Sequence, residues 1–257
     1  WNTQKDLFLK SFENEKTSFV GAKRQQDRLN EKWDNFEHSA YDTGVYHPEA
    51  DTDFILPKNH EWAANIVKKW KFNKDTQHVI APVVVGGVDL TQDRKITEAI
   101  DKCQIEDGIL AGKFANANAD DLKKAVEVAV ADKDGWRSKT HEQRHAILKN
   151  VAQKVRERRD DLIGVAAAEV GKVFTETDVE VSEAIDFLEF YTHSIRYFQT
   201  YENLELKGKG VGVVVPPWNF PIAIPTGGVA ASLAAGNCVI IKPASAAVLS
   251  AFIFILP

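Results

Sequence analysis

The chain has 257 residues, of which 44% are hydrophobic and 27% charged, with a formal net charge of -5. That length supports a sizeable core in one large domain or two modest ones, and the acidic balance argues against a nucleic-acid or anionic-membrane partner. Two cysteines fit a reducing compartment, either the cytoplasm or a mitochondrial matrix, and no apolar run reaches the roughly 20 residues that span a bilayer. The seven histidines lack metal-ligand spacing: His141 and His145 stand four apart without a third ligand. Methionine is absent even at position 1, so the chain is expected to be a piece of something longer.

Residues 1–75 are polar and rich in aromatic and charged side chains, and read as a mostly helical extension or linker. Within "HEWAANIVKKWKF", Trp62, Ile66, Val67 and Trp70 recur at helical spacing, the stripe of a helix docked on another part of the protein. "HPEADTDFILPKN" interrupts regular structure with prolines and short acids. From residue 76 a second unit runs to 257, starting with "HVIAPVVVGGVDL", a strand that turns at Gly86 and Gly87. Asn118 or Asp120 caps the next helix, whose apolar face is Leu122, Ala125, Val126 and Ala129. Thr140 and Gln143 form a capping box, each satisfying an orphan backbone donor, ahead of a stripe of Ile147, Leu148, Val151 and Val155. The basic run Arg156 to Arg159 is interrupted by acid and reads as a solvated helix face. Gly171 ends one helix as a left-handed cap, and the following helix turns Val181, Ile185, Leu188 and Ile195 inward.

"GVGVVVPPWNFPIAIPTGGVAASLAAGNCVIIKP", Gly210 to Pro243, closes the pattern. Val211 to Val215 and Cys238 to Ile241 are β-branched runs of the kind covered on both faces, and Pro221 to Ala235 between them is helix-compatible. Strand, helix and strand at this spacing make a parallel pair with a right-handed crossover, and ligands of open α/β sheets bind beyond the carboxyl ends of such strands. Asn219 and Lys242 both fall at those ends. Asn219 has two readings: a cap on the helix that follows, or a rigid amide donor for an oxyanion in a dry, aromatic-walled site. "GKGVG" at Gly208 to Gly212 precedes a strand rather than following one, and is a turn, not a phosphate loop.

"PPWNFP", followed by "GNCVIIKPAS", resembles the aldehyde dehydrogenase superfamily, and the upstream "DGWRSKTHEQRHAILKNVAQKVRERRDDLIGVAAAEVGK" resembles its helical lead-in. The likeness runs from about Pro82 to Ser250. "SEAIDFLEFY", "PWNFPIAIPTGG" and "KPAS" are most similar to 1-pyrroline-5-carboxylate dehydrogenases. "EADTDFILPKNHEWA" resembles the link between the proline dehydrogenase and aldehyde dehydrogenase portions of PutA-type enzymes, and "FENEKTSFV" the end of the former. The resemblance implies an α/β fold, the N-terminal part of the aldehyde dehydrogenase domain with a partial Rossmann-like parallel sheet. It implies an NAD cofactor, with NADP also accepted, and a small aldehyde substrate. A homo-oligomer, or a fused or associated proline dehydrogenase portion, is implied for the intact protein.

Residue by residue, the resemblance implies that Asn219 donates its side-chain N–H to the aldehyde oxygen and that Phe220 walls the aldehyde channel. Pro217 and Trp218 would line the nicotinamide side, Lys242 would hydrogen-bond the adenosine ribose, and Glu183 would face the ammonium of a semialdehyde. Ser245 stands where the commoner pattern has a ribose-gripping glutamate, and a hydroxyl there does not repel a 2′-phosphate. The family mechanism needs a cysteine nucleophile and a glutamate base, and neither Cys103 nor Cys238 lies in a matching context. The apolar "FIFILP" departs from the amphipathic helix of the family pattern, and the chain by itself is expected to be inactive. Two other readings remain: an aldehyde dehydrogenase for another substrate, and a non-catalytic remnant.

Overall fold

Glycine, proline and short polar caps set most of the element boundaries. The computed structural model describes residues 1–13, 25–32, 40–78 and 80–255, so most of "FENEKTSFV" lies outside the described residues. The N-terminal part carries α1 (Asn2–Glu13), the single turn α2 (Ala40–Thr43) and α3 (Pro57–Trp70). Pro57 opens α3, where its missing N–H is one of the orphan donors of a first turn. Ile66 is fully buried, with Trp62 and Trp70 packed against the same core. Val67 is exposed instead of inward, because residues 62, 66 and 70 repeat every fourth position and leave it on the next face.

Five short strands follow: β1 (Ile80–Ala81), β2 (Val83–Val85), β3 (Val88–Leu90), β4 (Ile96–Ile100) and β5 (Leu110–Ala115). β2 and β3 form a hairpin closed by Gly86 at φ 60° and Gly87 at φ 78°, the doubly left-handed turn that suits the twist of a two-residue hairpin. β1 and β5 pair in parallel, whereas β4 returns antiparallel on the other side of β5. The expected parallel sheet is therefore mixed here, since the 3-10 turn at Lys102–Asp107 is too short for a parallel crossover.

Helix α4 (Ala119–Ala131) starts at Asn118, which accepts from the backbone N–H of Asp120 and Asp121 while Asp121 reaches back to the Asn118 N–H. Its buried face is narrower than expected: Ala129 is buried, but Leu122 and Val126 are about half exposed. Helix α5 (His141–Glu157) carries the Thr140–Gln143 box as read, and buries Leu148 and Val155. Ile147 sits at the rim, 39% exposed. Helix α6 (Arg159–Val170) is buried nearly all round and ends at Gly171, φ 74°. Helix α7 (Phe174–Phe198) sinks Val181, Ile185 and Leu188 into one core with Leu162, Ile163 and Ala166 of α6.

The basic run at the α5–α6 junction is not a solvated face. Arg156 and Arg159 are 3% and 2% exposed, because the break at Arg158 turns both guanidinium groups inward. Arg156 bonds Glu49 at 2.9 Å and Glu189 at 2.5 Å. Arg159 bonds Asp178 at 2.9 Å and Ser182 at 3.1 Å, with Glu49 at 3.4 Å. Asp178 also accepts from the backbone N–H and hydroxyl of Thr52. This paired cluster straps residues 49–52 to α6 and α7, so that part of the N-terminal segment is fastened rather than loose.

The last unit is β6 (Val211–Val214), α8 (Ala223–Ala234) and β7 (Cys238–Ile241), followed by α9 (Val248–Ile255). β6 and β7 are parallel, in register from Val211 opposite Cys238 to Val214 opposite Ile241, the βαβ unit read from the sequence. Only one face is well covered. Val213 and Val215 are 62% and 61% exposed. Among the described residues no helix is long and apolar enough to cross a membrane.

Candidate functional site at the carboxyl edge of β6 and β7

The register of β6 and β7 brings their carboxyl ends level, with Val214 opposite Ile241 and the Lys242 N–H bonded to the Val214 carbonyl at 2.9 Å. Pro216 to Phe220 leave one strand and Lys242 to Ser245 the other, so the loops bearing Asn219 and Lys242 leave the same edge of the sheet. Their side chains line two different concavities.

The first concavity, about 630 Å³, is lined by Trp218, Asn219 and Phe220 on one side and by Lys172, Glu176 and Val179 on the other. The Asn219 carboxamide makes no hydrogen bond among the described residues, while the Asn219 backbone carbonyl accepts from the Lys172 ammonium at 2.9 Å. Nor does it cap α8. That helix begins without a local cap, and Glu180 of α7 accepts the Ile222 and Ala223 N–H groups at 3.0 and 3.1 Å instead. The expected dry, aromatic wall is open here: Trp218 is 57% and Phe220 39% exposed, as no other described segment covers this edge. Pro217 is exposed beside them. Glu183 lies one turn beyond Val179 on α7, half-buried, and is not among the residues that line this concavity.

Lys242 and Ser245 line the second concavity, about 460 Å³, with Ile240, Pro243, Asn116 and the β2 valines. Its acid, Asp121, is gripped by the Arg94 guanidinium at 2.6 and 2.7 Å, which holds the carboxyl below its usual range. The exposed ammonium of Lys242 and the exposed hydroxyl of Ser245 thus stand at the mouth of an apolar trough without a free carboxylate beside them. An apolar floor with cationic and hydroxyl donors at its rim is chemically suited to a ligand that joins a flat apolar ring to hydroxyl groups.

Two glutamates that the sequence reading missed hold these loops from behind. Glu180 caps α8, and Glu169 of α6 accepts the Leu249 and Ser250 N–H groups and the Ser250 hydroxyl at 2.7–2.8 Å, capping α9. Burial pushes the Glu169 carboxyl above its ordinary range, against the pull of those donors. Capping signals are normally sought within four residues of a helix start, and these two come from elements 42 and 80 positions away.

Neither cysteine is at the edge. Cys238 begins β7, at the opposite end of the pair, and donates to Asp132 at 3.3 Å. Cys103 donates to the Ala167 carbonyl at 3.2 Å. Burial raises both thiols above their ordinary range, which keeps them protonated and poorly nucleophilic at neutral pH.

Comparison with known proteins bears on the family and the fold. The aldehyde dehydrogenase family profile matches residues 91–256. The chain is 33% identical over 219 residues to the 1-pyrroline-5-carboxylate dehydrogenase of Geobacillus sp. (strain WCH70), covering 81% of this chain and 41% of that protein. It is 33% identical over 211 residues to the enzyme of the same name from Bacillus mycoides (strain KBAB4), covering 78% and 40%. Among solved structures it is similar to proline utilization A from Bdellovibrio bacteriovorus inactivated by N-propargylglycine, with TM-score 0.74, 28% identity, and 82% and 23% coverage. It is also similar to the 1-pyrroline-5-carboxylate dehydrogenase from Thermus with bound NAD, with TM-score 0.72, 26% identity, and 82% and 42% coverage. The chain therefore spans about two-fifths of the length of the curated relatives it matches.

Proposed function

The chain belongs to the aldehyde dehydrogenase family, and from that premise we propose that it forms part of an NAD(P)-dependent dehydrogenase oxidising L-glutamate γ-semialdehyde to glutamate in proline catabolism. Residues 1–75 act as a helical extension and 76–257 as the N-terminal portion of the cofactor-binding domain. The relatives' names and the bound NAD of the Thermus neighbour support the substrate and cofactor. The Bdellovibrio neighbour supports a proline-oxidising portion as companion, fused or associated.

One observation carries the reading: an amide that spends none of its donors internally, at the mouth of a parallel strand pair, with a cationic donor ending the adjacent strand. Asn219 donates its side-chain N–H to the aldehyde oxygen as that oxygen gains charge, and Phe220 and Trp218 flank the carbonyl. Lys242 and Ser245 hold the adenosine ribose, and the lack of a free carboxylate beside them admits a 2′-phosphate. Pro217 and Trp218 would line the nicotinamide, which would supply the hydride acceptor for the oxidation. Since both thiols of this chain lie away from the amide, the chain by itself is expected to show no turnover.

The test is Asn219→Ala in the enzyme carrying this chain, assayed with semialdehyde and NAD+. Removing a preorganised oxyanion donor costs about 10²–10³ in turnover. A loss below about tenfold contradicts the assigned role.

A further inference from the structure

Lys172 and Glu180 form an ion pair whose second contacts all go to the loop that bears Asn219. The Lys172 backbone is itself fixed, because Gly171 takes the left-handed conformation that ends α6 and sends the Lys172 N–H back to the Ala166 carbonyl at 3.4 Å. From there the ammonium bonds Glu180 Oε1, donates to the Asn219 carbonyl at 2.9 Å and lies 4.1 Å from the centroid of the Phe220 ring. The other Glu180 oxygen accepts the Ile222 and Ala223 N–H groups at 3.0 and 3.1 Å. The pair is buried, with side chains 10% and 1% exposed. We propose that Lys172 and Glu180 are positioning residues that clamp the Pro216–Ala223 loop at two points and so aim the Asn219 amide; this rests on the oxyanion role given to Asn219 above.

The physical argument is one of leverage. Charge-assisted hydrogen bonds are shorter and about twice as strong as neutral ones, and cation–ring contact adds to them at low exposure. Lys172 grips residue 219 at its own carbonyl, three bonds from the side chain's Cβ, and Glu180 pins the residues where the loop becomes helix. Between the buried Pro216 and Pro221, no described hydrogen bond other than the clamp's holds residues 217–220: their rings are exposed, and the amide side chain has no bond of its own. A donor displaced by about 1 Å can cost on the order of 10²-fold in rate, so the clamp matters to the transition state more than to substrate binding.

Lys172→Met alone leaves a buried, unpaired carboxylate and is prone to misfold, so the double variant Lys172→Met with Glu180→Gln, which removes both charges, isolates the grip. Two readouts separate anchoring from function. In the whole enzyme carrying this chain, the backbone 15N order parameters of Asn219 and Phe220 are expected to fall from about 0.85 to below about 0.6 in the double variant, and to stay near the unsubstituted value in Lys172→Arg. Unchanged order parameters overturn the clamp, whatever the activity. In the whole enzyme the double variant is expected to lose about ten- to a hundredfold in kcat with KM within about twofold, and a rise in KM at constant kcat overturns it. If the loop loosens while Asn219→Ala leaves turnover intact, the clamp stands and the oxyanion reading of Asn219 is what fails.

Discussion

Replacing Arg159 by Met tests whether the buried charge cluster fastens the N-terminal strap to the helical core. Arg159 is 2% exposed and supplies the only cation within ion-pair distance of Asp178 among the described residues. Met matches the length and apolar stem but leaves Asp178, 1% exposed, with only the two Thr52 donors. Removing one partner of a buried pair costs about 3–5 kcal/mol, since the remaining carboxylate stays desolvated without its counter-charge. Glu49 loses a weaker contact at 3.4 Å and keeps Arg156, so its share is small. Against a total stability of about 5–15 kcal/mol, the single change removes about a fifth or more. Urea unfolding followed by circular dichroism reads it directly. Adding Asp178→Asn, which removes the stranded charge, should return at least about 1 kcal/mol as coupling energy. A single-variant loss below about 1 kcal/mol, or strict additivity in the double, refutes the ion-pair account.

Three further outcomes follow from other sites. A Cβ built on Gly164 would lie 2.1 Å from the Trp70 ring, so Gly164→Ala should undock α3 and cost about 1–3 kcal/mol, visible as a lower melting temperature with Trp70 fluorescence shifted to the red. His145 is buried against Tyr41, shares a hydrogen bond with the Thr192 hydroxyl and has a pKa lowered to about 4, chiefly by desolvation, with Asp42 opposing and Lys149 and Arg196 assisting. Its neutral form stabilises the fold above the unfolded value of 6.5. Between 6.5 and about 4 the unfolded chain binds the proton first, so this contribution, worth about 3 kcal/mol at most, is lost as pH falls. His145→Asn should flatten the stability–pH slope in that window, and an unchanged slope refutes the assignment. At the cofactor edge, Ser245→Glu should lower turnover with NADP at least about tenfold while sparing NAD, because a carboxylate there repels a 2′-phosphate; equal losses with both cofactors refute the ribose placement.

What the sequence made legible was local. Asn118, one of two candidate caps with Asp120, together with Thr140–Gln143, Gly171 and the Gly86–Gly87 turn each act within four residues, and each forms as its residue types require. The βαβ unit was legible too, because its two β-branched runs and intervening helix follow one another along the chain. What escaped was set by tertiary placement. Arg156 and Arg159 look like surface charge in a run of four, and only the reversal at Arg158 and the return of residues 49–52 bury and pair them. Leu122, Val126, Val213 and Val215 match buried patterns but stay exposed, since periodicity gives the face of an element and not what covers it.

The same division applies to the site. Asn219 and Lys242 can be found from sequence because strand ends and punctuation locate them, yet what holds them comes from α6 and α7, far back along the chain. Each of the two loops leaving the β6–β7 edge enters a helix whose first N–H groups lack a local cap, and each is completed by a buried glutamate from the helical layer behind. A remote carboxylate satisfies the orphan donors as well as a local serine does, but it also ties the loop's position to the packing of the core. Loop geometry at this edge is therefore a property of how α6 and α7 pack, and disturbing that packing should misplace the amide and the lysine together, although no side chain of the core touches either one's functional group.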